Sequence, residues 1–319
     1  MNRRTLMKSI VSLSLVSMAP GRGFAEMDAD GLHGLLPARA EGEMDIHHID
    51  TGRGNCTLIV GPDGTAIMID AGAGNAPADT SSEERPNASQ RAGVWQARYA
   101  LRQVPSGRLD YFVTTHLHSD HMGDVAASSP MAARGLYRLT GVSDVDALMP
   151  IGVLIDRSYP HYGQTPPPDL PATANYLAYL ESRVASGRTV EAAAVGSAEQ
   201  IRLKDTVLYP DFSVRMLAAN GRVWTGSGDA VEAHVPDLSR LPATDRPGEN
   251  VLSVAMKFHY GKFSYFAAGD LCCDTEDGRL PWWDVETPVV RVAGRTEVAA
   301  ADHHGYFDAC GPEFVRSLD

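Results

Sequence analysis

The sequence predicts an α/β protein in which helices cover a sheet, and three observations predict it. Short β-branched and aromatic runs, among them Cys56–Val60, Thr65–Ile69 and Leu109–Val113, read as buried strands. Between the second and third of these lies Gln90–Val104, helical in period through Ala92, Trp95, Tyr99 and Leu101, which gives β-α-β alternation. Residues able to bind or polarise, Asp70, His116 and Asp270 among them, fall at the ends of such runs, where side chains can be aimed from a rigid sheet.

Taken in order, residues 1–25 read as an export signal: Arg3-Arg4 precede a modest apolar stretch, Ile10–Met18, and small residues end at Ala25. The stretch is too short to span a bilayer and is similar to a twin-arginine (Tat) signal, which implies a periplasmic or extracellular protein exported already folded. Residues 26–43 read as a linker, and 44–319 as one large α/β domain with no transmembrane anchor. That domain opens with strands at Met44–Asp50, Cys56–Val60 and Thr65–Asp70, the last two joined by the turn Gly61-Pro62-Asp63-Gly64. His47 and His48 must face opposite sides of the first strand, which suits structural use or a place on the site rim rather than metal ligation. Residues 75–90 are a polar loop. Further on, Gly152–Asp156 reads as a strand and Ala172–Val184 as a helix. Strands are expected at Val190–Ala194, Thr206–Tyr209 and Phe212–Leu217, with a hairpin around Asn220-Gly221 and loop from Gly226 to Asn250. Strands Asn250–Phe258 and Phe263–Ala268 flank a tight Tyr260-Gly261-Lys262 turn. Gly311-Pro312 starts a last helix, in which the chain ends, so a further C-terminal piece is expected.

The formal charge of −12 gives no general affinity for nucleic acid, and no Lys/Arg run marks a local basic groove. The four cysteines, Cys56, Cys272, Cys273 and Cys310, form no C-x-x-C pair, which argues against a structural zinc knuckle and leaves their disulfide state open.

The densest chemistry is His116-Leu117-His118-Ser119-Asp120-His121, directly after the Leu109–Val113 strand. Three imidazoles and a carboxylate at this spacing suit zinc or a similar divalent cation. The run resembles the H-x-H-x-D-H signature of the metallo-β-lactamase fold superfamily. Asp70 and Asp270, each at a strand end, and His303-His304-Gly305 add to that resemblance. Asp50-Thr51-Gly52-Arg53-Gly54-Asn55 is similar to the Asp-Val-Gly-Gln-Gly-Asp run of one branch, the hydrolase domain of ComEC-like competence proteins. Here Asn55 replaces the last acid, and Tyr306 stands where that branch has serine after His-His-Gly.

The resemblance implies a four-layer αββα sandwich and two divalent cations, zinc first and manganese second. It implies His116 and His118 on one cation, Asp120, His121 and His304 on the other, and Asp270 between them. His303 is the alternative ligand to His304, or a proton donor to the leaving group, so that Asp120 and His303 are the residues expected in catalysis. Asp70 is expected to hold a ligand histidine from behind. Asn250 stands where the family places a third histidine on the first cation. The implied activity is metal-dependent hydrolysis by an activated water, on a phosphodiester or other small-molecule substrate. Hydrolysis of amide, lactone or β-lactam bonds is the alternative, and a catalytically weak binding relative the third reading.

Overall fold

The computed structural model describes residues 39–50, 52, 54–74 and 82–318. The expected export signal, and the linker up to residue 38, lie outside them. Two six-stranded sheets make up the fold. The first runs β1 (Asp45–His48), β2 (Thr57–Val60), β3 (Ala66–Ile69), β4 (Leu109–Val113), β5 (Ile151–Asp156) and β6 (Thr189–Ala192), in that spatial order. β1, β2 and β3 pair antiparallel; β3 to β6 pair parallel, with Met68 opposite Phe112 and Ile69 opposite Val113. Parallel neighbours need crossovers, and helices Ala92–Gln103, Val142–Leu148 and Pro171–Ala185 lie in them.

The second sheet contains β7 (Phe212–Ala219), β8 (Arg222–Trp224), β9 (Val231–Ala233), β10 (Ala255–Tyr260), β11 (Phe263–Ala267) and β12 (Val298–Ala299), ordered β12-β11-β10-β7-β8-β9. Only the β11–β12 pair is parallel. Successive side chains on a strand face opposite ways, and the core divides accordingly. Ile59, Ile67, Ile69, Val113 and Ile155 meet Val214, Met216, Met256, Phe258 and Tyr265 between the sheets. Leu58, Met68, Phe112 and Leu154 turn outward against Ala97, Ala100, Val145, Tyr176 and Leu180 of the helices. On the far side, Leu217, Ala255 and Phe266 pack on Val285, Val289, Val290 and Phe314. The result is the four-layer αββα arrangement, with both faces of β2 and β3 buried, which is why these strands read as unbroken apolar runs.

Several elements differ from expectation. Thr206–Tyr209 is a turn outside both sheets: Asp205 accepts the Leu208 N–H through Oδ1 (2.8 Å), a local bond that competes with strand pairing, and Val207 is 90% exposed. Gly226–Asn250 is not all loop, since β9 lies within it. Asn250–Leu252 is a 3-10 turn, and its strand begins only at Ala255. Residues 39–43 at the end of the expected linker are tied to the first sheet: Arg39 bonds the Gly61 carbonyl and pairs with Asp45, and Gly42 N donates to Pro62 O (3.0 Å). His47 meets the Tyr99 hydroxyl (3.1 Å) and His48 that of Tyr265 (3.4 Å), on opposite faces of β1. All four cysteines are free thiols. Among the described residues no helix is long and apolar enough to cross a membrane.

Candidate metal centre

Because β3, β4 and β5 are parallel, their carboxyl ends lie on one edge, and the H-x-H-x-D-H loop leaves from there. The loop is fastened by its backbone. Ala71 N donates to His121 O (2.8 Å), Asn55 N to Asp120 O (2.8 Å), and Ala73 N to Ser119 O (3.2 Å). Gly72 makes the close approach feasible, since a Cβ there would lie 1.7 Å from the Asp120 carbonyl oxygen. Asn55 therefore serves the loop through its main chain, a use that does not depend on the acid it replaces.

Asp70 sits under this loop, fully buried, in the left-handed region (φ 61°) that aspartate tolerates better than most residues. Its Oδ1 accepts the Thr115 N–H (2.8 Å), and its Oδ2 accepts the Thr115 hydroxyl (2.8 Å) and lies 2.8 Å from His121 Nδ1. With its Nδ1–H donated to Asp70, His121 turns Nε2 outward, where it can bind a cation once its own proton is displaced.

That outward face is crowded with donors. His121 Nε2 lies 3.1 Å from Asp270 Oδ1 and 3.2 Å from His304 Nε2. His304 Nε2 is 3.2 Å from Asp120 Oδ2 and 3.5 Å from Asp270 Oδ2. Beside them, His116 Nε2 lies 3.1 Å from His118 Nδ1 and 3.7 Å from Asp270 Oδ2. Two ligand sets result: Asp120, His121, Asp270 and His304, and His116, His118 and Asp270, with Asp270 common to both.

The donors fit a divalent cation. Ring nitrogens face each other twice at about hydrogen-bond distance, where one lone pair opposes another unless a proton or a cation lies between. Asp270 Oδ1 is buried and makes no hydrogen bond of normal geometry despite its nearness to His121. Burial, and then the neighbouring His121, hold His116 well below its ordinary value, which keeps it neutral. Burial opposes ionisation of Asp270, but His121, which the Asp270 and Asp70 carboxylates raise well above its ordinary value despite its burial, outweighs it and holds the carboxyl far below the carboxylate range. The Asp120 carboxylate beside His304 raises that imidazole to about 9.

His303 turns away from both sets. Its Nδ1 lies 2.6 Å from Asp308 Oδ1 and its Nε2 3.1 Å from Asn250 Nδ2. Both His303 (φ 45°) and His304 (φ 54°) are left-handed, and this backbone turn sends neighbouring imidazoles to different partners. Asn250 Oδ1 is buried and without a hydrogen-bond partner. Tyr306 packs on the His303 ring (centroids 5.2 Å) and, with Phe307, is exposed. Sequence reasoning missed Thr115, whose hydroxyl serves Asp70, and Asp308, which holds His303. It also missed Glu249, which bonds the loop backbone at Leu117. An acid at the right loop position carries no local signal of what the fold brings to it.

The family model described as "Metallo-beta-lactamase superfamily" matches residues 49–128. No curated protein matches the chain. Among solved structures, a HARLDQ-motif mutant metallo-β-lactamase from Cronobacter sakazakii is 11% identical, covering 85% of this chain and 88% of that one at a TM-score of 0.40. A metallo-β-lactamase from Hirschia baltica is 13% identical over 78% of this chain and 84% of its own, at 0.29. A mutant of CmlA β-hydroxylase is 14% identical over 86% of this chain, which spans 40% of that protein's length, at 0.38. The family match covers the strands and the loop that carry the H-x-H-x-D-H run, so over residues 49–128 the chain is similar to the metallo-β-lactamase superfamily, and the two sheets bring to that loop a His/Asp cluster able to hold metal.

Proposed function

We propose that the protein is an exported hydrolase of phosphodiester bonds that works with two divalent cations, zinc first and manganese second. The observation that carries the two-cation reading is the sharing of Asp270 between the two ligand sets. His116 and His118 would hold one cation, and Asp120, His121 and His304 the other. Such a pair would supply Lewis acidity, neutralising charge that develops on the substrate and lowering the pKa of a water. The chain's own residues do the rest. Asp70 keeps the His121 lone pair aimed outward, and Thr115 keeps Asp70 in place.

His303 is our choice of proton donor to the leaving group. Asp308 Oδ1, 2.6 Å from Nδ1, orients the ring. The phosphodiester choice rests on the likeness of Asp50–Asn55 and His303-His304-Gly305 to the ComEC-like branch. The exposed rings of Tyr306 and Phe307 beside His303 suit an ester with a planar group.

The test is an activity panel on metal-loaded protein. Bis-p-nitrophenyl phosphate should be hydrolysed and nitrocefin left intact. Nitrocefin turnover alone would move the reading to amide, lactone or β-lactam bonds. Inactivity on every ester and amide at full metal loading would make the protein a binding relative.

A further inference from the structure

Residues 249–254 touch every ligand-bearing segment of the site. Val254 N donates to Thr115 O (2.9 Å), Ser253 Oγ accepts the Asp270 N–H (3.1 Å), and Asn250 Nδ2 meets His303 (3.1 Å). At the head of the segment Glu249 Oε1 accepts the N–H of Leu117 (3.0 Å), the residue between His116 and His118. Glu249 is itself gripped by Arg157, just past the end of β5. Nε donates to Oε1 (2.6 Å) and Nη2 to Oε2 (3.1 Å), a bidentate fork. The guanidinium is fully partnered: Nη1 bonds Asn220 Oδ1 in the β7–β8 turn, Nη2 donates to Thr165 O (3.1 Å), and the Tyr162 ring lies 4.8 Å from its centre. Arg157 is 1% exposed and Glu249 8%.

A buried ion pair of this kind seldom adds net stability over well-packed apolar side chains. Its place here gives it another use. The Leu117 peptide orientation decides whether the flanking imidazoles meet, and a carboxylate that cannot move fixes that orientation. We propose that Glu249, locked by Arg157, is a positioning residue that sets the approach of His116 and His118 to a shared cation. This rests on the reading of that pair as metal ligands.

The test is metal binding, with the cobalt(II) absorption spectrum as a second readout. Metal-free protein is titrated with zinc in competition with a chromophoric chelator, for wild type, Glu249→Gln, Glu249→Ala and the paired variant Arg157→Met with Glu249→Leu. Glutamine keeps an oxygen for the Leu117 N–H, so it should bind both cations much as wild type does. Alanine should weaken the cation on His116 and His118 by about 10–100-fold, the usual effect of losing an outer partner, and change its cobalt spectrum. The cation on Asp120, His121 and His304 should be little altered. The apolar pair removes the unpaired charge that destabilises the alanine variant, so loss of affinity in a folded protein separates positioning from stability. Wild-type affinities and spectrum in Glu249→Ala or the apolar pair, or a glutamine variant as weak as alanine, would overturn the proposal. If wild type itself binds no cation, the ligand reading fails instead.

Discussion

Replacing Asp70 separates a strain effect from a ligand effect, because the residue is both left-handed and bonded to His121. Asparagine tolerates the φ of 61° and keeps an oxygen for the Thr115 N–H. Its amide N–H, however, would face His121 Nδ1 and favour the tautomer with the proton on Nε2, where the lone pair is needed. Asp70→Asn should therefore cost about 1–3 kcal/mol in metal-free stability, the range for a charged hydrogen bond lost. It should cost about 10–100-fold in affinity for the cation on His121. Alanine removes every acceptor. The buried Thr115 N–H and the His121 Nδ1–H then go unsatisfied, at about 1–3 kcal/mol each. Backbone strain adds about 1–2 kcal/mol. Urea unfolding of the metal-free proteins should rank wild type, asparagine, alanine, with the last two separated by about 2–5 kcal/mol from these terms. Zinc competition measures the ligand effect separately. An asparagine variant that binds zinc as tightly as wild type, or an alanine variant as stable as asparagine, would refute the account of Asp70.

Three further outcomes are expected. Asp120→Ala and Asp270→Ala should each reduce hydrolysis to background while circular dichroism stays native, and near wild-type turnover in either would rule out its assigned role. Asn250→His should tighten the cation held by His116 and His118, because imidazole is a better zinc donor than an amide oxygen, and Asn250→Ala should not. Calorimetry showing two equal, tight zinc sites in the natural protein, unchanged by either substitution, would sink that asymmetry. Changing Arg3 and Arg4 to lysine should hold the precursor in the cytoplasm, and fractionation showing normal export would point to the general secretory route.

The sandwich was legible because its strands are buried on both faces and its crossover helix carries a clear period, as Ile67, Met68 and Ile69 beside Trp95 and Tyr99 show. The ligand run was legible because four donors sit within six residues. Thr206–Tyr209 misled because two apolar residues in a row resemble a strand when the Asx turn of Asp205 is not weighed. Which of two adjacent histidines joins the cluster could not be read at all, since it depends on the backbone at His303 and His304. Arg157 and Glu249 lie 92 positions apart, and only the packing of one sheet against the other makes them neighbours.

The ligands come from both halves of the sandwich: His116, His118, Asp120 and His121 follow a strand of the first sheet, and Asp270 and His304 follow strands of the second. A cation there is a bolt through two plates as well as a reagent. Each ion bound only by the folded chain adds about 4.1 kcal/mol when free metal stands at a thousand times its dissociation constant. The stability of the fold would then depend on the free metal around it. Because Asp120 and His304 are each 43% exposed, such a bolt could be drawn from outside, and a chelator should loosen the two plates as well as stop the chemistry.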